Sequence, residues 1–494
     1  MKQLKHKHRI RSKYQLLFLT FCISIVVLAF LISPLLKQKS NYTLKFSDKI
    51  EAPIVDVGSC YSTKAIKINL TPSNPDYQVY YTLDGTEPNS GSLKVDDNSI
   101  WIDEKVTKET FLYSIPTSPR WKPPVGDVFC FKILRAVCVD ENGNKGKELQ
   151  ASYIIDKSKT HNYTLPVFSF IFNPDDVFGY KNGIYIMGKS YEDKDNYVKK
   201  KIKFDIPWWR YPANYLQKGS NSDRPIFADY FCLNEGTHFS FESKMRIHGF
   251  NTRGFAQKSV RVPVKTIDSS CVTMFNNQEM NFIFRNGGND WTKTLLRDAF
   301  IHEVMKGSTL SPQAYQPVVC FFNGEYWGIH TLRERFDELY IQSKYGISKD
   351  SIAIVELGGD VMAGSKSEGE LFNNLMNFIS ENDMSKELNY KIVEEQIDIA
   401  NLIEYLIANI YFVNNDWPQN NLKYWRYSYP AKDSSYRNNK WRFVLSDMDW
   451  AMGFNITDAH DYNMFNFLKN KKPFGETFYK LLQNESFKKQ FVGS

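Results

Sequence analysis

The spacing of apolar and polar positions changes character along the chain. Leu16 to Leu36 reads LLFLTFCISIVVLAFLISPLL, 21 residues without a charge. At about 1.5 Å per helical residue such a run crosses a hydrocarbon core of about 30 Å. Six basic residues precede it, which sets the N-terminus on the cytoplasmic side and exports the remainder of the chain. The run ends in Pro34-Leu35-Leu36-Lys37, with no small-residue cleavage site, so the expectation is an uncleaved single-pass anchor over 16–36 behind a basic tail, 1–15.

From 51 to 157 the period is two. In Ile66-Lys67-Ile68-Asn69-Leu70 every second position is apolar, the mark of a half-buried strand. Gln78–Leu83 runs into Asp84-Gly85, and Phe131–Val139 into Glu141-Asn142-Gly143-Asn144; both endings are tight-turn signals. Strands at this spacing predict a small β-sandwich. From Leu165 the texture shifts again. Leu165–Phe172, Gly183–Gly188, Ile226–Cys232 and Phe239–Arg246 read as strands, and Asn323-Gly324 as the turn of a hairpin. Helical spacing comes next, over Thr294–Lys306, Leu371–Glu381, Leu388–Glu395 and Ile399–Phe412. Strands and then helices predict an α+β domain in two parts with a cleft between them, over 165–494.

Composition alters this picture in one respect. The net charge is +7, but eight of the 62 Lys and Arg lie in residues 1–39, leaving the remainder at −1. A nucleic-acid partner therefore has no electrostatic support. The seven cysteines form no CxxC pair and the eight histidines no HExxH, so neither a zinc nor a redox motif is present.

Candidate chemistry sits in separate strings. Arg246-Ile247-His248-Gly249-Phe250-Asn251-Thr252-Arg253-Gly254 leads to Lys258; its glycines admit backbone N–H groups to an anion, and its cations supply charge-assisted donors. Arg246, Gly249, Asn251, Thr252, Arg253 and Lys258 are thus phosphate-binding candidates, set against the plainer reading of a polar surface hairpin. Glu334, after the hairpin, could orient a lysine or pair with Arg333 or Arg335. Asp416 is followed five places on by Asn421, a spacing similar to the protein-kinase catalytic loop, where Asp accepts a hydroxyl proton and Asn holds metal. Asp447 and Asp449 end an apolar strand, Trp441–Leu445, and offer the hard oxygens magnesium prefers.

Two resemblances emerge from these strings. Ala52-Pro53, YTLDGTEP at 81–88 and Leu134-Arg135-Ala136 resemble the chitobiase/β-hexosaminidase C-terminal-type domain. That implies an immunoglobulin-like accessory module, a spacer that could touch cell wall or glycan. RIHGFNTRGFAQKS, RNGGNDW, FFNGEYWGIHTLRERFDELY, NNDWPQNNLKYWR and WRFVLSDMDWAMGF resemble the CotH kinase family, named for a spore-coat protein and built as a divergent, two-lobed protein-kinase-like fold. The resemblance implies transfer of the ATP γ-phosphoryl group to Ser or Thr of surface or exported proteins. Lys258 would contact phosphates, Glu334 orient it, Asp416 position the acceptor, and Asn421 with Asp447 or Asp449 hold Mg²⁺. The alternative is a cell-surface binding or adhesion protein that keeps the fold without turnover, using aromatics such as Trp208, Trp209 and Tyr211.

Overall fold

A computed structural model describes residues 44–104, 112–159, 163–192, 207–265, 279–431, 433 and 435–494. The expected anchor at 16–36 lies outside them, and among the described residues no helix is long and apolar enough to cross a membrane. The chain divides into two compact units.

The first unit holds residues up to Gly58, Ile66–Ile102 and Ile133–Ala151. The strands that lie in it wholly or for the most part are β1 (Ile66–Thr71), β2 (Gln78–Thr82), β3 (Ser99–Ile102), β4 (Lys132–Val139) and β5 (Asn144–Ile155). β1 pairs with β3 in one sheet; β2, β4 and β5 share another. The period-two pattern places Ile68 and Leu70 inside with no exposure, while Lys67 and Asn69 between them face water.

The second unit holds Ser59–Ala65, Asp103–Lys132 and Ser152–Ser494. It opens with a closed barrel of β6 (Val167–Ile171), β7 (Arg224–Cys232), β8 (Thr237–Ile247), β9 (Val260–Val264), β10 (Met280–Arg285), β11 (Tyr315–Phe322) and β12 (Glu325–Glu334). Closure comes from β6, antiparallel to β7 on one side and parallel to β11 on the other. A closed barrel leaves no strand edge unpaired. Alternate residues fill its interior, among them Phe168, Phe170, Phe284 and Phe322. Phe168 and Phe170 each meet the Phe284 ring edge-on, at 4.8 and 4.9 Å between centroids. Truncating one such ring to alanine costs about 3–5 kcal/mol. At the β11–β12 hairpin, Asn323 and Gly324 both take positive φ, 46° and 78°, as the tightest hairpin turn demands.

One predicted strand is not formed. Gly183–Gly188 is an irregular segment whose Ile184, Tyr185 and Ile186 are buried in the barrel core. Its backbone groups bond to neighbouring turns: Ile184 N–H and Tyr185 N–H donate to the Asp176 and Val177 carbonyls. Burial produced the apolar run; strand pairing did not.

Beyond the barrel, β13 (Ile352–Glu356) pairs with β14 (Asp360–Ala363) and with β15 (Lys423–Tyr427), which in turn pairs with β16 (Arg442–Phe443). Ala353 and Val355 face a core built with α1 (Arg297–Val304), α2 (Ser367–Glu381), α3 (Glu387–Gln396) and α4 (Ile399–Tyr411). Ile352 and Ile354 face a second, smaller core on the opposite side. The mixed α+β class and its two-part build result directly.

Candidate functional site

A cleft of about 670 Å³ opens within the second unit. The barrel and its loops supply His248, Gly249, Asn251, Thr252, Arg285 and Asn289; the layer beyond the barrel supplies Asp416, Asn421, Lys423, Asp447 and Asp449. Acids from two stretches of chain about thirty residues apart in sequence thus meet cations from both parts.

Local structure explains the placement of each acid. Asp398 caps α4 by accepting the Asn401 N–H, and the buried Asn401 amide bridges helix to strand, accepting the Phe443 N–H and donating to the Phe443 carbonyl. That bridge fixes where β16 releases the segment Ser446–Asp449. After α4 the chain turns: Asn414 donates to the Asn409 side chain, and Trp417 packs fully buried against Tyr405 and Phe474. Asp416 emerges there, its carboxylate accepting from Asn420 Nδ2 at 2.8 Å and Asn421 Nδ2 at 3.0 Å. Asn421 and Asp447 both adopt left-handed backbone, φ 61° and 54°, a conformation that Asn and Asp tolerate better than other side chains.

Asp447 and Asp449 differ in environment. The Asp447 side chain is 37% exposed to the cleft and Asp449 only 2%. Asp449 Oδ2 accepts the Asn289 N–H at 2.7 Å and an Arg285 N–H at 3.0 Å. Gly288 presses on it: with φ at 62°, an added Cβ would collide with Asp449 Oδ2. Burial, reinforced by the Asp447 charge, pushes the Asp449 carboxyl up to about 7. Burial also opposes ionisation of Asp447, but the Arg285 charge and hydrogen bond outweigh it and hold the group below its ordinary value. Asp416 is raised by burial and by the Asp447 charge, against the two asparagine donors.

Arg285, the last residue of β10, is the hub. It pairs with Asp447 and Asp449 and lies 3.7 Å from Asp298. Asp298 accepts the Met448 N–H at 2.7 Å and pairs with the buried Arg333, so the aspartate loop is braced from behind. Arg210 and Lys423 add charge, Arg210 donating to Asn251 Oδ1 and Lys423 pairing with Glu356. Burial and four neighbouring cations lower the His248 imidazole to about 3, so it is neutral at physiological pH.

Of the residues singled out from the sequence, the cleft gathers Asp416, Asn421, Asp447, Asp449, Gly249, Asn251 and Thr252. The others lie elsewhere. Arg246 pairs with Asp223, and Arg253 spends its guanidinium on the carbonyls of Gly249, Tyr215, Gln217 and Ile247, shaping the loop from inside. Lys258 is fully buried; its Nζ donates to the Thr117, Arg253 and Phe255 carbonyls at 2.8, 2.7 and 2.6 Å. Glu334 accepts the Ala314 N–H, and burial raises its carboxyl. It forms no pair with Lys258, and Arg333 and Arg335 pair with Asp298 and Asp337 instead. Trp208 and Trp209 are half-buried, the first stacked on Phe255 and the second close against Gly254.

Sequence reasoning missed Arg285, Asn289, Arg210 and Lys423. The Gly287-Gly288 pair in RNGGNDW was the available signal for the first two, since both glycines take positive φ to let Asn289 reach Asp449.

A two-part α+β domain whose cleft sets clustered acids against arginine and lysine has the arrangement of a kinase-like enzyme. Residues 245–493, half of the chain, match the family profile described as CotH kinase protein. The chain belongs to that family. Residues 68–153 match the profile described as Fn3 associated, which is how the accessory module with its YTLDGTEP string is identified. No curated protein matches the chain.

Proposed function

We propose that the protein is a membrane-anchored atypical protein kinase that transfers the ATP γ-phosphoryl group to Ser or Thr of surface or exported proteins. The observation that carries the reading is the convergence of Asp416, Asn421 and Asp447 with Arg210, Arg285 and Lys423 in one cleft large enough for a nucleotide.

The donor set suits Mg²⁺. Asp447 is the exposed member of its pair, and Asn421, with its Nδ2 engaged by Asp416, retains an amide oxygen. Asp416 and Asp447 raise each other's energy by like-charge repulsion, which a cation relieves. Among the described residues no group of three or more His, Cys, Asp or Glu is placed to hold a metal ion, so Mg²⁺ here would rest on Asp447 and Asn421 with water and phosphate oxygens completing its shell. Bound there, Mg²⁺ would neutralise phosphate charge.

The chain's own groups account for the rest. Asp416, raised by burial and steadied by Asn420 and Asn421, accepts the proton of the acceptor hydroxyl. The hydroxyl oxygen bonds to the γ-phosphorus as its bond to the bridging oxygen breaks, and ADP departs. Arg210 and Lys423 stabilise the charge that spreads over the transferred group. The adhesion reading has less behind it at the aromatics it invoked: Trp208 stacks on Phe255, Trp209 lies against Gly254, and the Tyr211 ring lies 6.4 Å from that of Tyr191.

The test is labelling of a Ser-rich acceptor by the full chain with ATP and Mg²⁺. Asp416→Ala should reduce labelling by about 10²–10⁴-fold with nucleotide affinity nearly unchanged. Labelling indifferent to that substitution would overturn the assignment.

A further inference from the structure

A second cavity, about 490 Å³, lies in the same unit and shares no residue with the first. Trp121, Trp291, Trp327 and Tyr326 line it, with Arg120 and Lys122 among the lining residues. Its near wall is the segment 112–124, which no proposed function uses. That segment is built into place: Glu325 accepts the Leu112 and Tyr113 N–H groups, Thr117 Oγ1 donates to the Ala256 carbonyl, and the buried Lys258 ammonium holds the Thr117 carbonyl. The loops at its floor also reach the first cleft, since Ala256 and Gln257 come shortly after Thr252, and Trp291 lies two residues past Asn289.

The chemistry of the lining selects the occupant. Gln257 is its one uncharged amide, and it is spent: Nε2 donates to the Trp327 carbonyl at 2.9 Å and the Ile329 carbonyl at 3.2 Å, while Oε1 accepts the Trp291 indole N–H at 2.8 Å. The Trp121 indole N–H is buried without a partner, so the occupant brings an acceptor, such as a backbone carbonyl, along with apolar surface for the rings. Arg120 and Lys122 are exposed, and no carboxylate is found among the described lining residues. The complement is a compact apolar side chain beside negative charge.

We propose that this cavity is a docking site for an extended protein segment, one that inserts a proline or aromatic side chain among Trp121, Trp291 and Trp327 and lays Asp or Glu against Arg120 and Lys122. Aromatic-lined grooves take such segments because an extended, proline-bearing chain has little conformational entropy to lose. Under the kinase reading the segment belongs to the acceptor protein, but the site itself does not require turnover.

The test is binding of labelled short peptides with a Pro-aromatic core to the full chain in detergent, read by fluorescence anisotropy. Acid-flanked peptide should bind, and lysine-flanked peptide should bind at least about tenfold more weakly. Trp121→Ala should weaken the acid-flanked peptide by at least about tenfold. The double variant Arg120→Glu/Lys122→Glu should reverse the preference, and Lys122→Glu alone, which keeps the Arg120 guanidinium 4.8 Å from the centre of the Trp208 ring, should reduce it. Asp416→Ala should leave binding intact, so failure of the kinase reading and failure of this one remain distinct. Equal binding of the two peptides, no binding of either at millimolar concentration, or indifference to the charge reversal would overturn the proposal. A neutral oligosaccharide that binds and is lost in Trp121→Ala would assign the cavity to glycan, and a dimer lost in that variant would assign it to a second copy of the chain.

Discussion

Lys258→Met separates a structural lysine from a phosphate-binding one. Methionine keeps the length of the side chain and removes every donor. In the protein, Lys258 Nζ makes three charge-assisted bonds to carbonyls and lies 4.1 Å from the centre of the Tyr215 ring and 5.5 Å from that of Tyr185. Each such bond is worth about 1.5–3 kcal/mol, and a desolvated cation–π contact about 2 kcal/mol. Burial works the other way: it pushes the ammonium well below its ordinary value, and removing the charge recovers that penalty of several kcal/mol. What remains is three buried carbonyls without donors, so the net loss should be about 3–5 kcal/mol. At roughly 2 °C per kcal/mol for a domain of this size, the melting transition should fall by about 6–10 °C. Thermal unfolding of the full chain reads the first quantity, and titration with ADP and Mg²⁺ below the transition reads the second, which should change by less than about threefold. A phosphate-binding Lys258 requires the opposite pairing: a variant as stable as the parent whose nucleotide affinity has dropped by about tenfold or more. That result would refute the structural assignment.

Three further outcomes are expected of the site. Arg285→Met leaves Asp447 and Asp449 without their counter-charge and should destabilise the metal-free protein by about 3–5 kcal/mol; millimolar Mg²⁺ should restore more of its melting temperature than it adds to the parent, and an equal shift in both would count against a cation at Asp447. Gly288→Ala drives a Cβ into Asp449 Oδ2 and to 2.6 Å from an Arg285 nitrogen, so nucleotide affinity should fall while the far-ultraviolet circular dichroism of the barrel is kept; unchanged affinity would free Asp449 from the site. Burial lowers His248 and His302 to about 3 and His330 to about 4, so between those values and the unfolded value near 6.5 the unfolded chain binds more protons. Stability should therefore decline as pH falls from 6.5 toward 4, with up to about 1.4 kcal/mol per histidine per pH unit, and His302→Gln should flatten the slope seen in urea titrations.

The sequence carried the local features well, because their causes are local. Asn323-Gly324 defines a turn in four residues, and α4 repeats its apolar positions at helical spacing over Ile399–Tyr411. Barrel closure was not legible, since Phe168 meets Cys320 across some 150 intervening residues and no pattern within either strand names the other. The same reason hid Arg285, whose partners lie 162 and 164 positions away. Lys258 comes after a glycine-rich loop, which in sequence resembles a phosphate cradle. Only the return of Thr117 from 141 residues upstream reveals that its charge is consumed inside the fold. Asp416 and Asp447 were legible as a pair because turn residues at strand and helix ends announce themselves, whereas which of Asp447 and Asp449 faces solvent depends on Asn289 and Gly288 in a distant loop.

The hydrogen bond between Trp291 and Gln257 ties together two loops that both line the second hollow and run on to border the first. Thermodynamic reciprocity then sets a constraint on any occupant of either. Should a docked segment tighten nucleotide binding by some factor, nucleotide must tighten the segment by that same factor. The protein would then hold a docked segment more firmly with nucleotide bound than without it.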